Sequence, residues 1–330
     1  MSLSLVGSFL HKQLCVKLPV PTASFTDKTI IVTGSNVGLG LEASRWLVNL
    51  GAARVILACR NLEKGRLAAE DIRSTTGCKP EILEVWHLDM SSYASVHKFA
   101  DKVNAELPRL DVLIANAGVA PTEFRITEDN EETITTNVVS LALLTLLLHP
   151  KLHQTAMKHA TQTYITATGS DLYLWANFKE RSAPTRDLFA ALAEKTKKTD
   201  MLDRYNVSKV LLLLFMRQLA SLAPLSSSNV IVNVTAPGFC ESELTREYNP
   251  AVNYAMKILQ RTTEVGSRTL VYGACAGPES HGQYVPECQI VPVGGLAKGV
   301  AGAELQARVW AELRAKLEAV RPGVTELGYL

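Results

Sequence analysis

Tyr205 and Lys209 are residues whose types and spacing suit acid–base chemistry. They lie four positions apart in YNVSK, so a helix would place both on one face. A free tyrosine titrates near pH ~10, which is too high for proton exchange near neutrality. An ammonium group beside the phenol favours the phenolate and lowers that pKa. The pair therefore predicts a proton-exchanging tyrosine; the alternative is an ordinary surface tyrosine and lysine.

A second candidate site is the glycine-rich stretch TGSNVGLG at residues 33–40, which follows an apolar run and precedes a helical pattern. In that context Gly34 is expected to make a tight turn and Gly38 to let the backbone approach a phosphate. Gly40 is expected to let the helix pack closely against the strand. Amide groups at the start of the helix would then bind the anion. The stretch predicts a dinucleotide-binding loop; a purely structural turn is the alternative.

The elements that must position these residues alternate along the chain. Apolar, β-branched runs predict buried strands, and helical patterns separate them. The predicted strands are 28–33, 53–58, 81–87, 110–116, 162–168 and 229–235, with a seventh near 288–293; the predicted helices include 38–50, 61–75, 91–106, 131–148 and a closing helix over 302–320. This alternation predicts an α/β fold, a doubly wound Rossmann-type parallel sheet with helices on both faces.

The loop and the Tyr–Lys pair resemble those of the short-chain dehydrogenase/reductase family, whose glycine spacing is G-x-x-x-G-x-G. Other motifs of that family follow in the same order between about residues 28 and 245. They are Asp89, Asn116-Ala117-Gly118, Asn137, Ser170, and Pro237-Gly238 followed by Ser242. The resemblance implies that Asp89, the N-A-G turn, the proline–glycine turn and Ser242 bind the cofactor, together with Tyr205, Lys209 and the loop residues Gly34, Ser35, Asn36, Gly38, Leu39 and Gly40.

The same resemblance implies a catalytic role for four side chains. Ser170 would hydrogen-bond the substrate oxygen, Lys209 would also hold the nicotinamide ribose, and Asn137 would position a water in a proton relay. Tyr205 would exchange a proton with the substrate as hydride moves to or from C4 of the nicotinamide. A glycine precedes Ser170 where the family more often has another serine, so Thr168 is a rival for the substrate-orienting hydroxyl.

Arg60 indicates which nicotinamide cofactor the loop would bind. NAD-specific Rossmann proteins carry an acidic residue at the end of the second strand, but here that strand ends LACR without a carboxylate. The planar guanidinium of Arg60 suits a 2′-phosphate, and Ser35 and Asn36 can add neutral donors. The sequence predicts NADP(H), and ACRN resembles NADP-dependent retinol-dehydrogenase-like members. The alternative is that Arg60 is a solvated residue at the start of the next helix.

Two segments are expected to shape the substrate pocket. Residues 171–202 form an unusually long connection before the helix of Tyr205, which predicts a lid-like insertion; a surface excursion is the alternative. The second segment is the substrate-loop region over 239–261. Within the insertion, Trp175 and Phe178 either line an apolar pocket or pack in the core.

The remaining chain predicts a simple domain organisation. Residues 1–27 are expected to form an N-terminal helical extension, packed on the body or in weak contact with a membrane surface. Residues 28–330 are expected to form a single Rossmann-type domain. The apolar runs at 141–148 and 211–215 are shorter than the ~20 residues needed to cross a bilayer, so they predict buried helix faces.

Composition excludes several classes of function. The 330 residues carry a formal net charge of +2, without the clustered basic excess of a nucleic-acid-binding protein. The six cysteines are scattered without a CxxC pair, which predicts free thiols in a reducing compartment and no metal site. We therefore expect a cytoplasmic protein. The family resemblance implies a homodimer or homotetramer formed through the helices carrying 131–148 and 203–223.

Together these features predict an NADPH-dependent carbonyl reductase or alcohol dehydrogenase. It would transfer hydride to or from a ketone, an aldehyde or a secondary alcohol. The insertion and both terminal regions resemble short-chain reductases of fungal natural-product pathways, which implies a role in secondary metabolism. Two alternatives remain open: a cofactor-binding protein that catalyses isomerisation or cyclisation, and a non-catalytic cofactor sensor.

Overall fold

The computed structural model describes residue 7 and residues 11–184, 187–195, 197, 200–241 and 259–327. Its central sheet has seven strands, and every neighbouring pair is parallel. In chain order they are β1 Thr29–Thr33, β2 Arg54–Cys59, β3 Leu83–His87, β4 Val112–Ala115, β5 Thr163–Thr168, β6 Val230–Ala236 and β7 Tyr284–Pro286. Their spatial order is β3-β2-β1-β4-β5-β6-β7. The predicted doubly wound α/β fold is confirmed.

Helices cover both faces of this sheet. They are α1 Gly38–Asn49, α2 Leu62–Thr76, α3 Tyr93–Glu106, α4 Glu132–His159, α5 Leu188–Ala193, α6 Met201–Leu222, α7 Thr263–Gly273 and α8 Gly299–Val320. Helices α1, α2 and α7 share one apolar core with the sheet, and α3, α4, α6 and α8 share the other. The buried, β-branched strands between these two layers are the pattern expected of a parallel sheet.

The position expected for the seventh strand is wrong. The strand runs over Tyr284–Pro286 and not over 288–293. Glu287 and Cys288 have φ values of 48° and 59°, a left-handed conformation that turns the chain and ends the strand. Val291 then pairs back with Tyr284 in an isolated antiparallel bridge. The apolar run at 288–293 is therefore the partly exposed segment that leads the chain back from this turn.

The apolar runs of α4 and α6 are buried, as the sequence predicts. By length and composition, α4 could cross a membrane, but 89% of its apolar window is buried inside this fold. Residues 211–215 of α6 are at most 1% exposed. Both runs therefore pack in the core of this domain.

The insertion after β5 is fixed to the C-terminal helix. Arg308 of α8 donates hydrogen bonds to the backbone carbonyls of Arg181, Ala183 and Pro184. The backbone N–H of Leu188 donates to Glu312 Oε2 at 2.7 Å. Phe178 is fully buried and packs in the core, whereas Trp175 remains partly exposed.

The division of the chain into an N-terminal extension and one domain stays a prediction.

Three histidines meet at the end of the sheet opposite the candidate site. His149 of α4 is fully buried. His153 Nδ1 lies 2.8 Å from the Ser228 carbonyl oxygen, and His281 Nε2 lies 3.0 Å from that of Ala220. Burial, followed by the neighbouring His153 and His281, lowers the pKa of His149 to about 3. The fold therefore keeps His149 neutral at pH values where the unfolded chain would protonate it.

This histidine is expected to make the fold sensitive to acid. The pKa of His149 is lower in the folded protein than in the unfolded chain, so protons bind preferentially to the unfolded chain. The free energy of unfolding is therefore at its full value, with respect to this group, above pH ~6.5 and falls as the pH decreases towards 3. At pH 5 the free energy of unfolding should have dropped by about 2 kcal/mol through this group. Urea unfolding between pH 7 and pH 5 measures the drop. His149→Gln should reduce the slope, whereas the exposed control His159→Gln should not; equal slopes would contradict the assignment.

Candidate active site

The sheet order reverses between β1 and β4. Ligands of open α/β sheets bind in the crevice outside the carboxyl ends of the strands at such a switch point. The Asn116 amide donates to the carbonyl oxygens of Thr33 at 2.9 Å and Gly34 at 3.3 Å. Thr33 Oγ1 accepts in return from the backbone N–H groups of Asn116 and Ala117. These bonds join the N-A-G turn to the glycine-rich loop.

The three glycines of the loop have different surroundings. A Cβ on Gly40 would lie 2.5 Å from the Gly34 carbonyl oxygen, and one on Gly34 would lie 2.9 Å from Ala117 Cα. Gly38 has φ +62°, and a Cβ there would meet no atom within 4 Å. Gly34 and Gly40 thus permit close protein contacts, whereas Gly38 faces open space. This is the arrangement that lets a phosphate approach the backbone.

The loop also offers polar groups to an anion. Ser35 is fully buried, and its hydroxyl has no hydrogen-bond partner among the described residues. Val37, the residue before α1, provides no side-chain cap for the first amides of the helix. Asn36 and Leu39 are half-buried. An orphaned hydroxyl beside uncapped helix amides fits a dinucleotide phosphate group.

Arg60 follows β2, and Asp89 follows the edge strand β3. Arg60 is exposed, and among the described residues no carboxylate forms an ion pair with it. Asp89 Oδ1 accepts hydrogen bonds from the backbone N–H and the hydroxyl of Ser91 at 2.9 and 2.7 Å. Arg60 is thus available at the rim of the crevice, while part of the Asp89 carboxylate shapes the turn into α3.

Lys209 lies beside Tyr205 at the end of β5. Its ammonium donates to the Thr168 carbonyl oxygen at 2.8 Å and lies 5.4 Å from the centre of the Tyr205 ring. Burial lowers the pKa of Lys209 to about 8, so the group remains mostly protonated at pH 7. A Cβ on Gly118 would lie 3.9 Å from the Lys209 Nζ. The N-A-G turn and the Tyr–Lys pair are therefore neighbours.

Asn137 is buried in a π-turn over Thr135–Val139 that interrupts α4. Its Oδ1 accepts from the Val119 N–H, and its Nδ2 donates to the Val119 carbonyl oxygen, both at 2.9 Å. Nδ2 also lies 3.1 Å from Ser208 Oγ. π-Turns in helices often mark functional sites. Asn137 ties the N-A-G turn to α6; its role in holding a relay water remains a prediction.

Ser170 and Thr168 differ in where their hydroxyl groups point. Thr168 Oγ1 donates to Asn116 Oδ1 at 3.4 Å. Ser170 Oγ accepts from the Leu172 N–H at 3.2 Å, which leaves its own proton available for donation. A Cβ on Gly169 would lie 2.6 Å from Val234 Cγ1, so a serine does not fit there. These contacts explain the preceding glycine, and the choice of Ser170 or Thr168 as the substrate-orienting hydroxyl stays a prediction.

The turn after β6 is held by Arg261, a residue that no sequence motif indicates. Gly238 has φ +76°, and a Cβ there would lie 2.5 Å from Arg261 Nη1. Arg261 Nη1 donates to the Pro237 carbonyl oxygen at 3.1 Å. Ser242 lies outside the described residues. No local pattern in the sequence marks Arg261, because its partners are distant along the chain.

A polar cavity of about 290 Å³ lies beside the first turns of α6. Trp175 and Asn177 of the insertion line it together with Arg204, Asn206 and other residues of α6. Arg204 is buried and pairs with Glu180 at 3.1 Å. The predicted catalytic and cofactor-binding residues are not among those that line this cavity.

Comparisons with known proteins agree with this geometry. Residues 28–171 match the family model for short chain dehydrogenases. The chain is 47% identical to the short chain dehydrogenase/reductase dmxR8 of Cryptosporiopsis sp. (strain 8999), covering 96% of this chain and 98% of that protein. It is 36% identical to the short-chain dehydrogenase anuD of Penicillium roqueforti (strain FM164), covering 96% and 84%. The fold is that of Pseudomonas aeruginosa RhlG, solved as an NADP active-site complex, with a TM-score of 0.60 at 24% identity over 81% of this chain and 97% of that one.

Proposed function

Because the chain belongs to the short-chain dehydrogenase/reductase family, we propose that it is an NADPH-dependent carbonyl reductase or alcohol dehydrogenase acting on a ketone, an aldehyde or a secondary alcohol. The observation that carries the proposal is the position of Lys209, whose ammonium lies between the Tyr205 ring and the end of β5. Ser170 follows that strand end by two residues, and we infer that its hydroxyl faces the same place as the side chains of Tyr205 and Lys209.

The residues of this chain would handle the proton and the substrate oxygen. Tyr205 donates its proton to the carbonyl oxygen during reduction and accepts one in the reverse reaction. The Lys209 ammonium lies over the Tyr205 ring and favours the phenolate form. The Ser170 hydroxyl donates a hydrogen bond to the same oxygen. When bound, the nicotinamide ring supplies or accepts the hydride at C4.

The preference for NADPH rests on the end of β2. Arg60 is exposed there, and a guanidinium can pair bidentately with a 2′-phosphate. Ser35 and Asn36 would add neutral donors from the loop. An acidic residue at this place would instead favour the 2′-hydroxyl of NADH.

Removal of this guanidinium is expected to reduce the discrimination between cofactors. Arg60→Ala should raise the KM for NADPH about 10- to 100-fold, because a hydrogen bond to a charged group is worth about 1.5–3 kcal/mol. The KM for NADH should change little. Arg66→Ala, which removes an exposed arginine of α2, is the control. Better turnover with NADH in the unaltered protein, or an unchanged NADPH/NADH ratio in Arg60→Ala, would contradict the proposal.

Consumption of NADPH against a panel of ketones and aldehydes is the experiment that tests the redox function. We expect turnover with medium-sized apolar carbonyl compounds, in keeping with a role in fungal natural-product biosynthesis. A protein that bound NADPH but oxidised none of it, while still converting the pathway intermediate, would favour isomerisation or cyclisation.

We also propose a cytoplasmic location and a small-molecule substrate. An oligomer through α4 and α6 must use residues other than 210–216, which are at most 1% exposed. The C-terminal helix α8 of the same chain packs on this part of α6, with the Phe215 and Trp310 ring centres 6.3 Å apart.

A further inference from the structure

We propose that the N-terminal segment over residues 11–18 is part of the active site: Gln13 helps to hold the segment in place, and Lys12 is a positioning residue for Ser170. This inference rests on the proposed function, because it assigns Lys12 an effect on Ser170. Residues 11–15 are helical, and Gln13 and Leu18 are buried. The segment contacts the rest of the protein at two places, which lie next to Ser170 and at the turn after β6.

The first place is Asp171, the residue after Ser170. Lys12 Nζ donates to Asp171 Oδ2 at 3.2 Å, and the Tyr284 hydroxyl donates to Asp171 Oδ1 at 2.5 Å. Asp171 begins the short 3₁₀ helix that the Ser170 hydroxyl caps. The ion pair therefore fixes the turn that carries Ser170, and through it the direction of the hydroxyl.

The second place is the turn after β6. Gln13 Nε2 donates to the Phe239 carbonyl oxygen at 2.6 Å, and the Phe239 N–H donates to Gln13 Oε1 at 3.1 Å. This pair of bonds imitates the pairing of a neighbouring strand. Arg261 Nη2 donates to the Lys12 carbonyl oxygen at 2.5 Å, while Nη1 donates to that of Pro237 at 3.1 Å. The segment and the Pro237-Gly238 turn are thus held by the same arginine.

The charges of this network are largely buried. Glu287 and Arg261 are 7% and 6% exposed and lie 3.6 Å apart, and Lys12 lies 3.4 Å from Glu287. Glu287 has a φ of 48°, a conformation that persists only where the surroundings enforce it. Loss of one charge from a buried network leaves its partners uncompensated. Lys12 therefore acts on two carboxylates at once, and one of them adjoins the catalytic serine.

The test compares Lys12→Met with Lys12→Arg and with Lys17→Met, which removes an exposed lysine of the same segment. Lys12→Met should lower kcat for carbonyl reduction about 10- to 100-fold, the range that small misplacements of reacting groups produce. The Kd for NADPH should stay within about twofold. Lys12→Arg should restore most of the activity, and Lys17→Met should match the unaltered protein.

A double-mutant cycle separates positioning from a general loss of structure. In a Ser170→Ala background, Lys12→Met should change kcat less than about twofold, because it acts through the missing hydroxyl. Asp171→Asn keeps the shape of the side chain and should reproduce the effect of Lys12→Met. It replaces Lys12→Met in the test if the Lys12 variant does not fold. An unchanged kcat in Asp171→Asn or in folded Lys12→Met would overturn the proposed role of Lys12. So would an equal loss of kcat from Lys12→Met in the Ser170→Ala background. Neither result would affect the proposed function. Absence of carbonyl reduction in the unaltered protein would overturn the proposed function together with it.

Discussion

Tyr205→Phe is expected to lower kcat for carbonyl reduction by about 10²- to 10⁴-fold, the usual contribution of a positioned general acid. The substitution removes only the phenolic O–H, so no group remains at this position to protonate the carbonyl oxygen. Lys209 stays anchored to the Thr168 carbonyl oxygen at 2.8 Å, and the glycine-rich loop is untouched. The Kd for NADPH should therefore remain within about threefold of the unaltered value.

Steady-state kinetics and titration of NADPH fluorescence measure these two effects separately. Tyr272→Phe is the matched control, because this half-buried tyrosine of α7 lies away from the crevice. It should leave kcat and Kd unchanged. Retention of more than about a tenth of kcat in Tyr205→Phe would exclude the phenol as the general acid. A large loss of NADPH affinity would mean that the hydroxyl acts mainly in cofactor binding.

Gly40→Ala is expected to weaken NADPH binding by at least about 100-fold. The added methyl would lie 2.5 Å from the Gly34 carbonyl oxygen and 2.7 Å from the Asn116 amide nitrogen. The first of these is backbone, so α1 or the loop must move away. Either movement would displace the helix amides that are proposed to bind the phosphate, and a charge-assisted bond of this kind is worth about 1.5–3 kcal/mol.

Titration of NADPH fluorescence, with thermal unfolding recorded in parallel, measures the effect of Gly40→Ala. Gly77→Ala, at the end of α2, is the control: it has φ +67° but open space around a Cβ. It should cost about 1 kcal/mol of stability and leave NADPH binding intact. If Gly40→Ala bound NADPH as the unaltered protein does, the loop would not be the phosphate site.

The sequence was sufficient to predict the elements with strong hydrophobic patterns. The strand expected over 162–168 is observed as Thr163–Thr168, and the helix over 302–320 as Gly299–Val320. The edge strand was misplaced because its pattern is weak: Tyr284–Pro286 has three residues, includes a proline and ends in a left-handed turn. A turn at Glu287 and Cys288 has no sequence signal, since neither residue favours a positive φ.

The candidate site likewise contains residues that the sequence predicts and residues that only the fold brings together. Motifs with fixed local spacing, such as Tyr205 with Lys209, could be recognised because one element carries both residues. Lys12 and Asp171 are 159 positions apart, and Gln13 and Phe239 are 226 apart, so only the fold brings them together. The need for a glycine at position 169 could not be predicted either, because a side chain there would meet Val234 of the neighbouring strand β6.

Transfer of deuterium from NADPH labelled at C4 is the most direct test of hydride transfer by this protein. The protein is incubated in turn with NADPH labelled on each face of the ring, together with a carbonyl substrate, and the alcohol is analysed by mass spectrometry. Hydride transfer at this site predicts one deuterium on the former carbonyl carbon with one labelled face and none with the other. Conversion of the substrate without label from either face, and without oxidation of NADPH, would contradict hydride transfer at this site.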